Sequence, residues 1–156
     1  MRPISWFPGV PYFYIMLIRK IIENDAAAIS SLSTQLGYKF SIEQTLLQIN
    51  AISNSNNDIA YVAVEDNHIA AWIHVFYTLR LESASYCEIG GLVVDEVFRG
   101  KGIGKMLIEQ VKPWCRDKNC ALLKVRSNVK RTDAHRFYEH SGFMVIKQQR
   151  VFEIRL

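Results

Sequence analysis

The sequence predicts a mixed α/β (α+β) fold, a twisted and largely antiparallel sheet of six to seven strands flanked by about four helices. Three observations carry this. The order of strand-like and helix-like segments reads βααβββαβαβ(β), with three strands running consecutively. Two of those strands flank Asp66-Asn67, a pair suited to a tight hairpin. The 156 residues, 49% apolar and 22% charged, fit one globular domain with a substantial core.

The elements follow in order. Tyr14 to Ile22 is apolar and β-prone and reads as the first strand. Asp25 stands where a helix cap is needed, for a helix through about Leu36 that Gly37 ends. Ser41 and Gln44 have capping-box spacing for a second helix through about Ile52. Asn54 to Asp58 is turn-like, and Ile59–Glu65 with His68–Leu79 form the hairpin. Glu82 to Ser85 turn the chain into a strand over Tyr86–Asp95. Ile103, Leu107, Val111 and Trp114 recur at helical spacing, and Pro113 should kink that helix or mark an early end. Ala121–Arg126 reads as a short buried strand, Thr132–His140 as a helix, and Phe143–Leu156 as one or two closing strands.

Between the Tyr86–Asp95 strand and the next helix lies R-G-K-G-I-G, Arg99 to Gly104. Gly100, Gly102 and Gly104 permit a tight turn and close approach to a ligand. Amide hydrogens of that loop and of the helix start can converge on one anion, beside the charges of Arg99 and Lys101. The pattern is neither a Walker loop nor the dinucleotide fingerprint, because no G-K-[ST] follows and no βαβ unit precedes it. Taken alone it reads equally as a strand-to-helix connection without a ligand.

R-G-K-G-I-G resembles the R/Q-x-x-G-x-G/A loop of the GNAT superfamily of acyl-CoA-dependent N-acetyltransferases. Arg131 to Phe143, R-T-D-A-H-R-F-Y-E-H-S-G-F, resembles the other signature of that family, A-x-x-F-Y-x-x-x-G-F. The resemblance runs from about Ile15 to the C-terminus and is strongest over Glu88–Phe143. It implies an acyltransferase fold binding acetyl-CoA as co-substrate, and direct attack by a primary amine of a small molecule in a ternary complex. Its nearest flavour is that of bacterial small-amine, aminoglycoside and aminoalkylphosphonate acetyltransferases. It further implies that the backbone of Leu92, Val93 and Val94 holds the pantetheine arm, and that Arg99, Gly100, Lys101, Gly102, Ile103 and Gly104 hold the pyrophosphate. Asn128 would contact the coenzyme or orient a tyrosine, and Lys130 or Arg131 would meet phosphate. Asn128 reads equally as a turn asparagine, and Leu92–Val94 as core.

Amide formation from a thioester needs an amine stripped of a proton, a donor for the oxyanion, and a proton for the departing thiolate. Tyr138 holds the tyrosine position of the signature and is the candidate acid, since a phenol of pKa about 10 can protonate a thiolate in place. Glu88 is the candidate base, acting through water; it shares a strand face with Gly90 and Leu92. It reads equally as a salt-bridged strand glutamate. The chain has Gly90 where many members place that acid, and Gly91 where aminoalkylphosphonate enzymes carry a second glutamate. His135 reads as a packing or capping side chain. Tyr38, Phe40, Trp72, His74 and Tyr77 are candidates for lining the acceptor pocket, with core the stronger reading.

Charge and composition narrow the partners. Residues 99–136 hold 11 Lys/Arg and three Asp/Glu within a chain of net charge +4. One phosphorylated coenzyme accounts for that patch, and no base-reading helix or aromatic platform favours nucleic acid. Cys87, Cys115 and Cys120 form an odd set without C-x-x-C, which points to a reducing, cytoplasmic compartment and to catalysis without an acyl-cysteine. His68, His74, His135 and His140 lack metal-site spacing, so no metal is expected. Residues 1–15, aromatic and broken by three prolines, suit neither a signal peptide nor a membrane span. They read as an N-terminal extension or the product of an upstream start, with Met16 opening the transferase domain of residues 16–156 and their aromatics suited to a subunit interface. The family admits a homodimer. Two other functions fit the same motifs, a protein or peptide N-acetyltransferase and a non-catalytic acyl-CoA-binding regulator.

Overall fold

A computed structural model describes residues 16–156; the expectations for the N-terminal extension, and for Tyr14 and Ile15 of the first strand, lie outside them. The chain forms two compact units, residues up to Lys124 and Val125–Leu156. The first contains β1 (Leu17–Lys20), α1 (Ala26–Thr34), α2 (Ile42–Ser53), β2 (Asp58–Glu65), β3 (His68–Thr78), β4 (Tyr86–Val94) and α3 (Ile103–Asp117). Strand β5 (Leu123–Val125) lies at the junction, and α4 (Thr132–His140) is in the second unit.

Local chemistry sets most element ends. The Ser41 hydroxyl accepts from Gln44 N–H at 3.1 Å while Gln44 Oε1 accepts from Ser41 N–H at 3.0 Å, so the capping box starts α2. Asp66 and Asn67 take φ of 48° and 63°, the left-handed pair that closes a two-residue hairpin between β2 and β3. Asp25 departs from its expected cap. Its carboxylate is 3% exposed and accepts from Ile22 N–H at 2.8 Å and from both Arg19 terminal nitrogens at 2.7 and 2.8 Å. It therefore ties β1 to the start of α1 rather than capping the helix with its side chain. Pro113 does not end α3, which runs to Asp117. The helix closes on Asn119, at φ 56°, with Cys120 N–H donating to Cys115 O at 3.0 Å.

Among the described residues the sheet has five strands in the order β1-β2-β3-β4-β5, not six to seven. Ladders β1–β2, β2–β3 and β3–β4 are antiparallel. Beside β4, Cys87 N–H donates to the carbonyl of Leu122 at 3.0 Å. The missing strands are those expected over Phe143–Leu156. Apolar alternation there marks β-prone residues, but a strand exists only beside a bonded neighbour, and residues 143–156 form no ladder. Val151, Phe152 and Ile154 are exposed accordingly.

Helices α1 and α2 cover the sheet face that carries Ala60 and Val62, with Trp72 packed against the same cluster. Alternate residues of β3, Ile73 and Val75, point the other way and are fully buried. On α3, Leu107, Ile108 and Val111 are likewise fully buried, and the helix packs on β2, β3 and β4. Each such side chain contributes about 1.5–3 kcal/mol.

Candidate active site

Strand β4 carries a bulge. His74 pairs with Gly91 and Val75 with Ile89, which leaves Gly90 as an extra residue without a partner on β3. Side chains of β3 cover this irregularity. A methyl group placed on Gly91 would lie 2.6 Å from the Trp72 ring, and one on Gly90 would lie 3.0 Å from His74 Nδ1 and 3.1 Å from Phe76. A side chain on either glycine would crowd these rings. An indole and an imidazole fill the space a longer side chain would need.

Glu88 stands opposite Phe76, which in turn stands opposite Asp58, so these three residues form one row across β4, β3 and β2. Glu88 is buried at 7% exposure. Leu92 and Val94 are half-buried and Val93 is buried, opposite Ile73, Ala71 and Trp72 respectively. His74 and Asp58 make a pair that no motif announces, with Nε2 and Oδ1 2.8 Å apart. Sequence reading had His74 only as a lining candidate and missed Asp58, because their meeting depends on cross-strand register.

Beyond β4, Asp95 accepts from Val97 N–H at 3.2 Å and starts a short 3-10 turn over Glu96–Phe98. Arg99 is exposed, with Nε donating to Val94 O at 3.2 Å. Gly100 and Gly102 take φ of 79° and 78°, and no atom lies within 4 Å of a methyl group built on either. Glycine is needed there for the left-handed backbone, and the space over both is open. Gly102 is the N-cap of α3 and its carbonyl accepts from Met106 N–H at 3.1 Å, while Ile103 and Gly104 are buried in the first turn. The first amides of α3 have no partner within the helix and present its positive end, next to Lys101. Lys101 lies 3.6 Å from Glu65 and over the Phe98 ring.

In the second unit, the Tyr138 ring meets Phe137 and Phe143 edge-on, at 5.1 and 5.5 Å between centroids. Burial lifts its phenol above the ordinary range, against the pull of Arg131. The Asn128 carboxamide accepts from Lys130 N–H at 2.9 Å, a local turn, and its carbonyl meets His135 Nε2 at 2.9 Å. Of the aromatics expected as lining of an acceptor pocket or as core, Tyr38 and Phe40 are exposed, whereas Trp72, His74 and Tyr77 are half-buried. All three cysteines are buried, and burial pushes the Cys87 and Cys115 thiols up, keeping them protonated. Among the described residues no cluster of three or more His, Cys, Asp or Glu is placed to hold a metal, and no helix is long and apolar enough to cross a membrane.

A bulged inner strand leads through a left-handed glycine loop into a helix, and comparison names the class. Residues 26–143 match the model of the acetyltransferase (GNAT) family, and the chain belongs to that family of acyltransferase enzymes. It is 26% identical over 113 residues to the uncharacterized N-acetyltransferase YhdJ of Bacillus subtilis (strain 168), covering 72% of this chain and 80% of that protein. It is 31% identical over 83 residues to the aminoalkylphosphonate N-acetyltransferase of Salmonella typhimurium (strain LT2), 53% of this chain and 54% of that protein. Among solved structures, the aminoglycoside N-acetyltransferase AAC(6')-Iy in complex with CoA shares the fold, with TM-score 0.84 at 19% identity over 94% of this chain and 99% of the other.

Proposed function

We propose that this enzyme transfers the acetyl group of acetyl-CoA to a primary amine of a small molecule, by direct attack in a ternary complex. The observation that carries the reading is the Arg99–Gly104 loop. Its two left-handed glycines leave open space before the amide end of α3, with Arg99 and Lys101 alongside. A pyrophosphate is the anion such a loop fits. Relatives named for aminoalkylphosphonate and aminoglycoside acceptors support the small-amine class.

In this reading the backbone of Leu92, Val93 and Val94 holds the pantetheine arm beside the bulge, and Asn128 contacts the coenzyme. The Tyr138 phenol protonates the leaving sulfur, and Glu88 receives the amine's proton through water. The buried thiols stay out of the chemistry and suit a reducing, cytoplasmic setting.

A spectrophotometric CoA-release screen over polyamines, aminoglycosides, amino acids, aminophosphonates and peptides tests the proposal. It predicts thiol release with at least one small amine. Acetyl-CoA binding with no release across the panel would make the protein a regulator, and release with peptides alone would move the acceptor to proteins.

A further inference from the structure

The geometry points to His74, held by Asp58, as a further catalytic residue whose Nδ1 takes the proton from the acceptor's ammonium. The inference rests on the transferase reading above and puts a side chain where the water path from amine to Glu88 would begin.

Three observations meet at one place. His74 Nε2 lies 2.8 Å from Asp58 Oδ1. A carboxylate only accepts, so Nε2 carries a hydrogen, and in the neutral form of the ring the lone pair falls on Nδ1. Asp58 is fixed in turn, since the Ser55 hydroxyl donates to its Oδ2 at 2.6 Å and accepts from Asn57 N–H at 3.1 Å. This is the arrangement a general base requires, a ring set in one tautomer by a carboxylate that also stabilises the imidazolium it becomes.

Nδ1 faces the bulge. A methyl group on Gly90 would come within 3.0 Å of Nδ1, so the ring stands over the strand residue that has no β3 partner. Among the described residues no hydrogen bond is made by Nδ1. Both side chains of the pair are 25% exposed, which leaves the ring reachable while Phe76, 5.8 Å away between centroids, restricts its rotation. Register places Glu88 on the same sheet face, one row along β4. The face therefore sets the Asp58-held imidazole beside a glycine, where an amine nitrogen meets its ring edge.

The protons balance. The first ammonium proton goes to Nδ1 and on to Glu88 or solvent, which frees the nitrogen lone pair to form the C–N bond at the thioester carbon. The C–S pair leaves with sulfur, which takes a proton from the phenol proposed above. A second proton leaves the nitrogen as the adduct collapses and makes good that loss, so the net products are the amide, the thiol and one proton.

His74→Gln tests the role, because its amide still donates to Asp58 but cannot carry a proton. With the fastest primary amine of the screen, kcat/KM is expected to fall about 100-fold. With hydroxylamine, whose nitrogen is uncharged at neutral pH, the fall is only a few-fold, and CoA affinity measured by calorimetry is unchanged. Equal losses with both nucleophiles would mark a structural pair and overturn the inference. So would an unimpaired His74→Gln beside a crippled Glu88→Gln. Should His74→Gln fail to fold, Asp58→Asn keeps the ring but not its tautomer, and the same selective loss is expected from it. A wild-type enzyme that binds CoA but releases none with any amine would instead bring down the transferase reading itself, and this inference with it.

Discussion

Burial raises the Tyr138 phenol above the ordinary tyrosine pKa of about 10, so the ring keeps its proton throughout the neutral range. A proton donor with a raised pKa stays competent until the pH passes that raised value. Turnover should therefore lose its Tyr138-dependent part only on the alkaline side, above pH 10. Tyr138→Phe is expected to lower kcat about 100-fold with CoA affinity intact, measured by CoA release and calorimetry. An unchanged kcat would remove the acid role. At Gly102 the requirement is the backbone, not space, since φ is 78° and a methyl group there would touch nothing. Gly102→Ala should cost about 1–2 kcal/mol in a left-handed conformation, seen as a lower Tm and weaker CoA binding. Wild-type behaviour in both would mean the loop does not depend on that conformation.

At the scale of elements, the Arg19–Asp25 pair joins β1 to α1 through a carboxylate that is nearly fully buried and a guanidinium that is a third exposed. Asp25→Ala should destabilise the fold by about 2 kcal/mol in urea, a value below that of a fully buried pair because Arg19 can turn to water. At the bulge, Gly91→Ala drives a methyl group into the Trp72 ring. A comparable loss of stability is expected, with Trp72 fluorescence shifted as the ring moves. An unshifted spectrum would show that the indole does not hold that space. These elements also show what the sequence made legible. The Ser41–Gln44 box and the Asp66-Asn67 turn are local devices, readable within four residues, and both stand in the structure. The bulge at Gly90 and the Asp58–His74 pair are not local. They arise from how β2, β3 and β4 are set against one another, which spacing along one chain does not encode.

For the molecule as a whole, two motifs resemble those of the GNAT family and the order of segments predicts a mixed fold with about four helices, and the family match and the described elements agree. The strand count did not follow, because alternation over Phe143–Leu156 specifies a face and not a partner. Asp25 failed as a side-chain cap for a related reason. Its spacing suits a cap, but Arg19 reaches it first across the turn. Globally, the three free thiols lie in the core of the first unit. They should react with a thiol reagent only after denaturation, and rapid labelling of the native enzyme would contradict the packing of Cys87, Cys115 and Cys120 described above. In the proposed function, backbone amides at the start of α3 receive the coenzyme's phosphates. Titration of 15N-labelled protein with CoA reads those amides one by one. Shifts are expected to concentrate at Arg99–Lys105 and Leu92–Val94; saturable binding that leaves those amides unmoved would refute the phosphate cradle.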